Sequence, residues 1–169
     1  NTLFETGSDL RILIMNVESF SSGDGADFAY KFLSAHPKSM IAIDEATTIK
    51  TPTSNRTRKI VALRNMCKYR RILTGSPVTK SPLDLYSQCQ FLDPWLLGHE
   101  SFTTFKARYA ETRKIKVNGR QVEIITGYRH LQELSDKVVS FSKRILKEDC
   151  LDLPEKTYVK HYVELTDEQ

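Results

Sequence analysis

Asp44 and Glu45 stand side by side at the end of a short apolar run, in MIAIDEATTIKT (residues 40–51). Two neighbouring carboxylates at the rim of a core repel one another unless a cation sits with them. A carboxylate there can hold a magnesium ion that bridges nucleotide phosphates, usually through water. A second one beside it can position and polarise an attacking water. The same pair also serves as plain solvated polarity at a strand end, and the bare pattern leaves both readings open. A second apolar run, YRRILTGS, ends in Thr74, Gly75 and Ser76. Its hydroxyls could face the same ligand, or make the turns and helix caps that Ser and Thr routinely make.

Cations are distributed unevenly around these two motifs. From Ala46 to Leu83 there is no acidic residue and there are nine basic ones, among them Lys50, Arg56 and Lys80. Such a block is either a solvated face or a surface for phosphate backbones, which are held mainly by charge. After Lys147 the balance reverses, with seven acids against Lys156 and Lys160. Cys67, Cys89 and Cys150 are odd in number and far apart, which argues for a reducing, intracellular setting and against a zinc site. The four histidines are equally scattered, so structural or surface roles are expected of them. Trp95 and the Phe102, Phe105, Tyr109 stripe are read as core rather than as a platform for stacking bases. The glycines of SSGDGAD (residues 21–27) are read as a turn, because no Lys-Ser/Thr pair follows them.

These residues need a scaffold, and the 169-residue chain is long enough for one domain with a sizeable core. Charged residues make up 27% and apolar ones 40%, the balance of a soluble globular chain. No apolar run approaches the roughly 20 residues that span a bilayer, so no membrane partner is expected. The chain opens on Asn1 and not Met, which reads as a fragment or a processed product.

Residues 10–17 (LRILIMNV) form a nearly continuous apolar run, the pattern of a buried parallel strand. A helix is expected next, with Phe28, Phe32 and Leu33 on one face. The second strand carries Asp44 and Glu45 at its end. A helix over residues 56–68 should bury Ile60, Leu63 and Cys67, and a third strand then leads to Thr74. Ser81 and Pro82 fit the N-cap and first position of another helix, and Ser101 opens one more. Asn118-Gly119 between alternating strands predicts a β-hairpin near 115–125. The last helix should bury Leu131, Leu134, Val138, Phe141 and Ile145, and TYVKHYVEL alternates like a closing strand. Strand and helix alternate through the first half, so the expected class is α/β, a parallel sheet with helices on both faces. Its ligands would bind at the carboxyl ends of the strands, where both motifs lie.

Taken in order, the motifs resemble the Swi/Snf branch of the superfamily-two helicase-like ATPases. LRILIMNVESF is similar to the strand before the family's Asn/Thr-Tyr-Glu motif, with Val17 in place of Tyr. IAIDEATTIKT is similar to motif II, the Walker B box, followed by the family's Lys-Asn, where Lys50 matches and Thr51 departs. RRILTGSPVTKSPLDLYSQCQFLDP resembles motif III and its helix, the most specific match. RILKEDCLDLPEKTYVKHYVELTDEQ resembles the Arg-x-x-Lys-Glu-Asp…Leu-Pro-x-Lys segment that ends the first motor lobe. The NGRQ hairpin and the lack of long insertions look like phage and bacterial members.

The resemblance implies a RecA-like (P-loop NTPase) three-layer parallel sheet, with ATP and Mg2+ as cofactors. It also implies a nucleic-acid partner, double-stranded DNA above all, a second RecA-like lobe in the same chain, and an intracellular location. It assigns Asp44 to magnesium, through water, and Glu45 to water activation. Thr74, Gly75 and Ser76 would couple the nucleotide to the nucleic acid. Lys50, Arg56 and Lys80 would contact its backbone, and Arg144 and Lys147 would reach nucleic acid or the hinge between lobes. The family's Gly-Lys-Thr/Ser phosphate loop occurs nowhere in the sequence. Residues 1–165 therefore read as the C-terminal two thirds of the ATP-binding lobe, without Walker A, and 166–169 as the start of the connection to the second lobe. The intact protein would be a helicase-like ATP hydrolase or translocase, and this fragment alone is expected to be inactive. The alternatives are a degenerate nucleic-acid-binding module that has lost hydrolysis, which would have no use for the pair, and a metal-dependent nuclease. The second would need further ligands that the acid-free run after Glu45 does not offer.

Overall fold

The computed structural model describes residues 4–5, 9–150 and 157–162, with the backbone alone at 147 and 148. Helix α1 (Gly25–Ala35) begins where Gly25 passes so close to Ser19 that a side chain there would meet its backbone oxygen at 2.7 Å. Strand β1 (Met40–Ile43) follows, and a 3-10 turn over Ala46–Ile49 leads to α2 (Asn55–Ala62). Ser54 caps α2 through its hydroxyl, 3.2 Å from the Thr57 N–H. Strand β2 (Tyr69–Ile72) lies parallel to β1, with Met40 opposite Tyr69 and Ile43 opposite Ile72. The link between two parallel strands is α2 and the 3-10 turn after it, as a parallel pair requires.

One face of this sheet is packed and the other is bare. Ile43 joins Phe32, Leu33, Ile60, Leu63, Cys67 and Phe91 in a first core, with Ile41 and Ile72 against it. Side chains alternate along a strand, so Met40, Ala42, Tyr69, Arg71 and Leu73 turn to the opposite face, where all five are exposed. The mixed α/β class is therefore present. The three-layer parallel sheet is not, because among the described residues only β1 and β2 pair in parallel and helices cover one side of them. Residues 10–17, expected as the first strand, enter no ladder among the described residues, and Val17 opens a 3-10 turn instead. Leu13 and Met15 rest on the first core, while Leu10, Ile12 and Ile14 face solvent. The segment keeps the period of a strand, with no neighbouring strand among the described residues to bond it. Residues 157–162, expected as the closing strand, are likewise exposed and unpaired, and the rest of that strand, 163–165, lies outside the described residues.

The second half builds its own core. Ser81 and Asp84 form a capping box on a 3-10 turn, Pro82–Asp84, that runs into α3 (Leu85–Leu92). After α4 (Phe102–Tyr109) come β3 (Ala110–Val117) and β4 (Arg120–Tyr128), an antiparallel hairpin with a register shift between Glu111 and Thr112. Helix α5 (Leu131–Phe141) and the short α6 (Lys147–Cys150) end the described chain apart from 157–162. Leu83, Leu85, Tyr86, Cys89, Leu97, Phe105, Tyr109, Ala110 and Leu134 form the second core. The aromatic stripe is core as expected, with Phe102 partly buried against it, but Trp95 is 65% exposed, since the Asp93 carboxylate takes the Trp95 backbone N–H in a tight turn and leaves the ring outside. Leu131 and Ile145 are also exposed, against expectation, because α5 starts at Leu131 and stops four residues short of Ile145.

Candidate functional site

Strand β1 delivers Asp44 to its carboxyl end, and the chain reverses at Glu45, whose φ of 48° is left-handed. Glu45 donates its N–H to Asp44 Oδ1 at 2.9 Å. Ala46 and Ile49, both fully buried, anchor the turn behind the pair, so both carboxylates stay at the surface. The ladder continues one step past β2, with Leu73 N–H bonding Ile43 O at 2.8 Å and Ala46 N–H bonding Leu73 O at 3.0 Å. That step sets Thr74, Gly75 and Ser76 beside Asp44 and Glu45. Ser76 donates its N–H to the Thr74 hydroxyl at 3.2 Å and its own hydroxyl to Val78 O at 2.9 Å, so both hydroxyls make the turn. At Gly75 an added Cβ would meet nothing within 4 Å, so the rim above it is open.

The cations of the block fall into two groups. The Lys50 ammonium donates to the Thr79 hydroxyl and lies 4.0 Å from Asp84 Oδ2. Arg56 donates to Ser21 Oγ at 3.0 Å and to Glu18 Oε1 at 3.1 Å, tying α2 to the turn before α1. Both side chains thus bridge parts of the fold. Lys80 is exposed, and among the described residues only its backbone N–H is engaged, on Asp84 Oδ2 at 2.9 Å. Arg144 is exposed in the irregular stretch between α5 and α6, and Lys147 opens α6. Among the described residues no hydrogen bond ties Arg144 to the rim. The structure therefore gathers Asp44, Glu45, Thr74, Gly75 and Ser76 at one edge, draws Lys50 and the Lys80 backbone together around Asp84, and leaves Arg56 and Arg144 apart.

Two features escaped the sequence reading. The first is Asp84, whose Oδ2 accepts from the Thr79 N–H and hydroxyl as well as from Lys80 and Ser81. Partial burial pushes its pKa up, but the hydrogen bonds from Lys80, Thr79 and Ser81 outweigh that and hold it below the usual value. The Ser-x-x-Asp spacing of a capping box was the available signal. The second is Glu133, which accepts from Arg108, from the Tyr109 hydroxyl at 2.8 Å and from Lys137 at 3.1 Å. These three bonds bring its carboxyl down to about 2. Only the Glu133–Lys137 spacing was readable in advance. The free thiol of Cys89 is pushed up to about 12 by burial, which rules it out as a nucleophile at neutral pH.

What the rim can hold follows from its donors. Asp44 and Glu45 are exposed oxygen donors with no ion pair among the described residues. No group of three or more His, Cys, Asp or Glu there could cage a metal. A lone carboxylate pair suits a hard cation that keeps most of its waters, as magnesium does, and does not suit zinc.

The chain matches the SNF2-related domain family over residues 7–169. It is 34% identical over 132 residues to the TATA-binding protein-associated factor mot1 of Schizosaccharomyces pombe, a match that covers 75% of this chain and 6% of that protein. The human TATA-binding protein-associated factor 172 is 33% identical over 129 residues, 73% of this chain and 7% of that one. The Zorya protein ZorD of Escherichia coli is 30% identical over 134 residues, 79% of this chain and 12% of that protein. The chain thus spans a small part of the length of the relatives it matches. No solved structure matches it.

Proposed function

The chain belongs to the SNF2-related domain family, in the Swi/Snf branch of the superfamily-two ATPases, and from that membership we propose that it carries motifs II and III of the first motor lobe of a nucleic-acid-dependent ATPase. Its track is double-stranded DNA. The rest of the RecA-like three-layer sheet, including the phosphate loop, and the second lobe lie in other parts of the protein that carries it. Residues 1–165 belong to the ATP-binding lobe, and 166–169 begin the connection onward. The location is intracellular, and no helix among the described residues is long and apolar enough to cross a membrane.

The observation that carries this reading is the shared rim. The carboxylate pair ends one strand, and Thr74–Ser76 end its parallel neighbour, bonded to it one step beyond the sheet. When bound, magnesium neutralises the charge of the ATP phosphates. Asp44 would be the residue that holds it, through water. Glu45, fixed by its turn and by the bond from its N–H to Asp44, orients the attacking water and takes its proton. Thr74, Gly75 and Ser76 convey the state of that edge to the nucleic-acid side. Lys80, the exposed cation of the same turn, contacts the backbone, as Arg144 and Lys147 do farther along. Lys50 and Arg56 support that surface from within, through their bonds to Thr79 and Glu18.

Glu45→Gln in the protein that carries this chain tests the reading. ATP binding should persist while turnover falls by about a hundredfold or more, read by steady-state hydrolysis alongside nucleotide-binding titration. A rate near wild type would remove Glu45 from its role and leave the rim without a chemical purpose.

A further inference from the structure

The β3–β4 hairpin projects from the second core with four cations that form no ion pair among the described residues. Its root is firmly held. Tyr109 and Ala110 are buried, the Arg129 N–H bonds Tyr109 O at 3.0 Å, and the Arg129 guanidinium grips Ala107 O at 2.7 Å and Arg108 O at 3.2 Å. Beyond that root nearly every residue is exposed. Arg113, Lys114, Lys116 and Arg120 lie on the outer part of the hairpin, and none forms an ion pair with a described residue. The one acid among them, Glu123, is bonded to Lys106 and to the Thr112 hydroxyl at 2.9 Å, and Lys114 lies opposite it in the register and feels its charge without an ion pair. The other acid of the hairpin, Glu111, is at the root.

The register distributes those charges in a telling way. Lys114 and Lys116 share a face with Glu123 and Gln121, whereas Arg113 and Arg120 share the opposite face with Ile124 and Val117. A surface meant to lie flat on a polyanion needs cations on one face alone. A ribbon with cations on both faces suits a cleft whose two walls are both negative. The tip is narrow: Asn118 and Gly119, at φ 48° and 77°, make a two-residue turn. The eight residues of β3 reach roughly 25 Å, and the major groove, about 12 Å wide, admits a two-stranded ribbon between its phosphate walls. Ile115, Val117, Val122 and Ile124, on the arginine face, offer apolar contact of the kind a thymine methyl takes.

We propose that the hairpin is a duplex-binding arm that enters the major groove of the nucleic acid, with Arg113, Lys114, Lys116 and Arg120 on the flanking phosphates. The arm rests on the duplex-dependent reading above. It also gives the bound duplex a mechanical connection to motif III, because α4 at its root packs in one core with Leu83, Leu85 and Tyr86, just after Thr74–Ser76.

The test replaces all four cations by Gln in the protein that carries this chain and follows duplex binding by fluorescence anisotropy between about 50 and 200 mM salt. The slope of log affinity against log salt should fall by about three to four, near 0.9 for each lost phosphate contact. A second variant that exchanges Lys for Arg and Arg for Lys at the four positions should keep the wild-type slope, which separates lost charge from lost fold. Methyl green, a major-groove ligand, should remove the arm's share of wild-type binding and leave the residual binding of the Gln variant unchanged. An unchanged slope in the Gln variant, with the wild type still binding duplex, overturns the arm and spares the motor reading. So does loss of a protein partner with the duplex slope intact, which would make the apolar stripe a protein-docking face. Equal displacement of wild type and variant by methyl green overturns groove entry. Absence of any duplex binding by the wild type overturns the arm together with the reading on which it rests.

Discussion

Glu45 occupies a left-handed conformation that costs a residue with a Cβ about 1 kcal/mol. The structure holds it there with the bond from its N–H to Asp44 and with the buried Ala46 and Ile49 behind it. Strain kept at a residue proposed for chemistry marks a site chosen for position over stability. Glu45→Gly should therefore leave stability within about 1 kcal/mol of wild type, relief of strain offsetting the added freedom of the unfolded chain. Glu45→Val should lower it by about 1–2 kcal/mol. Chemical denaturation of the two variants checks this, and a Gly variant less stable than the Val variant would refute it. Glu133 provides a pH signature. Hydrogen bonds from Arg108, Tyr109 and Lys137 lower its carboxyl from about 4.5 to about 2, so the folded state prefers the charged form. The stability it adds is complete above about 4.5 and is lost as pH falls toward about 2. Glu133→Gln should flatten the stability curve across that window, measured by urea midpoints at stepped pH. An equally steep acid limb in the variant would assign the loss to other groups.

At the scale of elements, the segment between β2 and α3 depends on one carboxylate oxygen. Asp84 Oδ2 collects the N–H groups of Thr79 and Lys80, the Thr79 hydroxyl and the approach of Lys50. Asp84→Ala hands those exposed donors to water in place of a charged acceptor and should cost about 1–3 kcal/mol. It should also speed amide exchange at residues 79–81, and unchanged protection there would show that the turn holds without its clasp. The Ser81 and Ser101 caps of this region were legible from residue type and place alone, because a cap acts within one helical turn, whereas the part of Asp84 in the capping box was not. The span of α5 was less legible. Its apolar period continues to Ile145, but the helix stops at Phe141 and Ser142 turns extended, since periodicity gives a face and says little about where a helix loses its support.

At the scale of the whole molecule, one sheet face remains bare. Met40, Tyr69 and Leu73 are exposed on it, and Leu10, Ile12 and Ile14 are exposed on the segment whose Leu13 and Met15 rest on the first core. An apolar surface of this kind seeks a cover. Residues 1–169 alone should associate as their concentration rises, measured by sedimentation velocity. Ile12→Thr together with Ile14→Thr should weaken that association, and a chain that stays monomeric would show its apolar faces to be too dispersed to matter. Lacking a Gly-Lys-Ser/Thr loop in its sequence, the same chain should show no ATP hydrolysis above buffer with magnesium and duplex present.

Local chemistry was determined by the sequence itself. The carboxylate pair at the end of β1, the hydroxyl turn after β2, the capped helices and the Asn118-Gly119 hairpin all depend on residues within a few positions of one another. Their spacing is enough to predict them. Tertiary structure alone decided which charges are free. Lys50 reaches Thr79 across 29 positions and Arg56 reaches Glu18 across 38, so two cations of the basic block are occupied inside the fold. The four cations of the hairpin, unremarkable in the sequence, are left standing outside it. The same holds for residues 10–16, whose apolar pattern needs a neighbouring strand to become a ladder, and for Trp95, whose ring a turn left in solvent. Charge pairing and strand pairing are made between segments far apart in the chain, and no local pattern encodes which partner arrives.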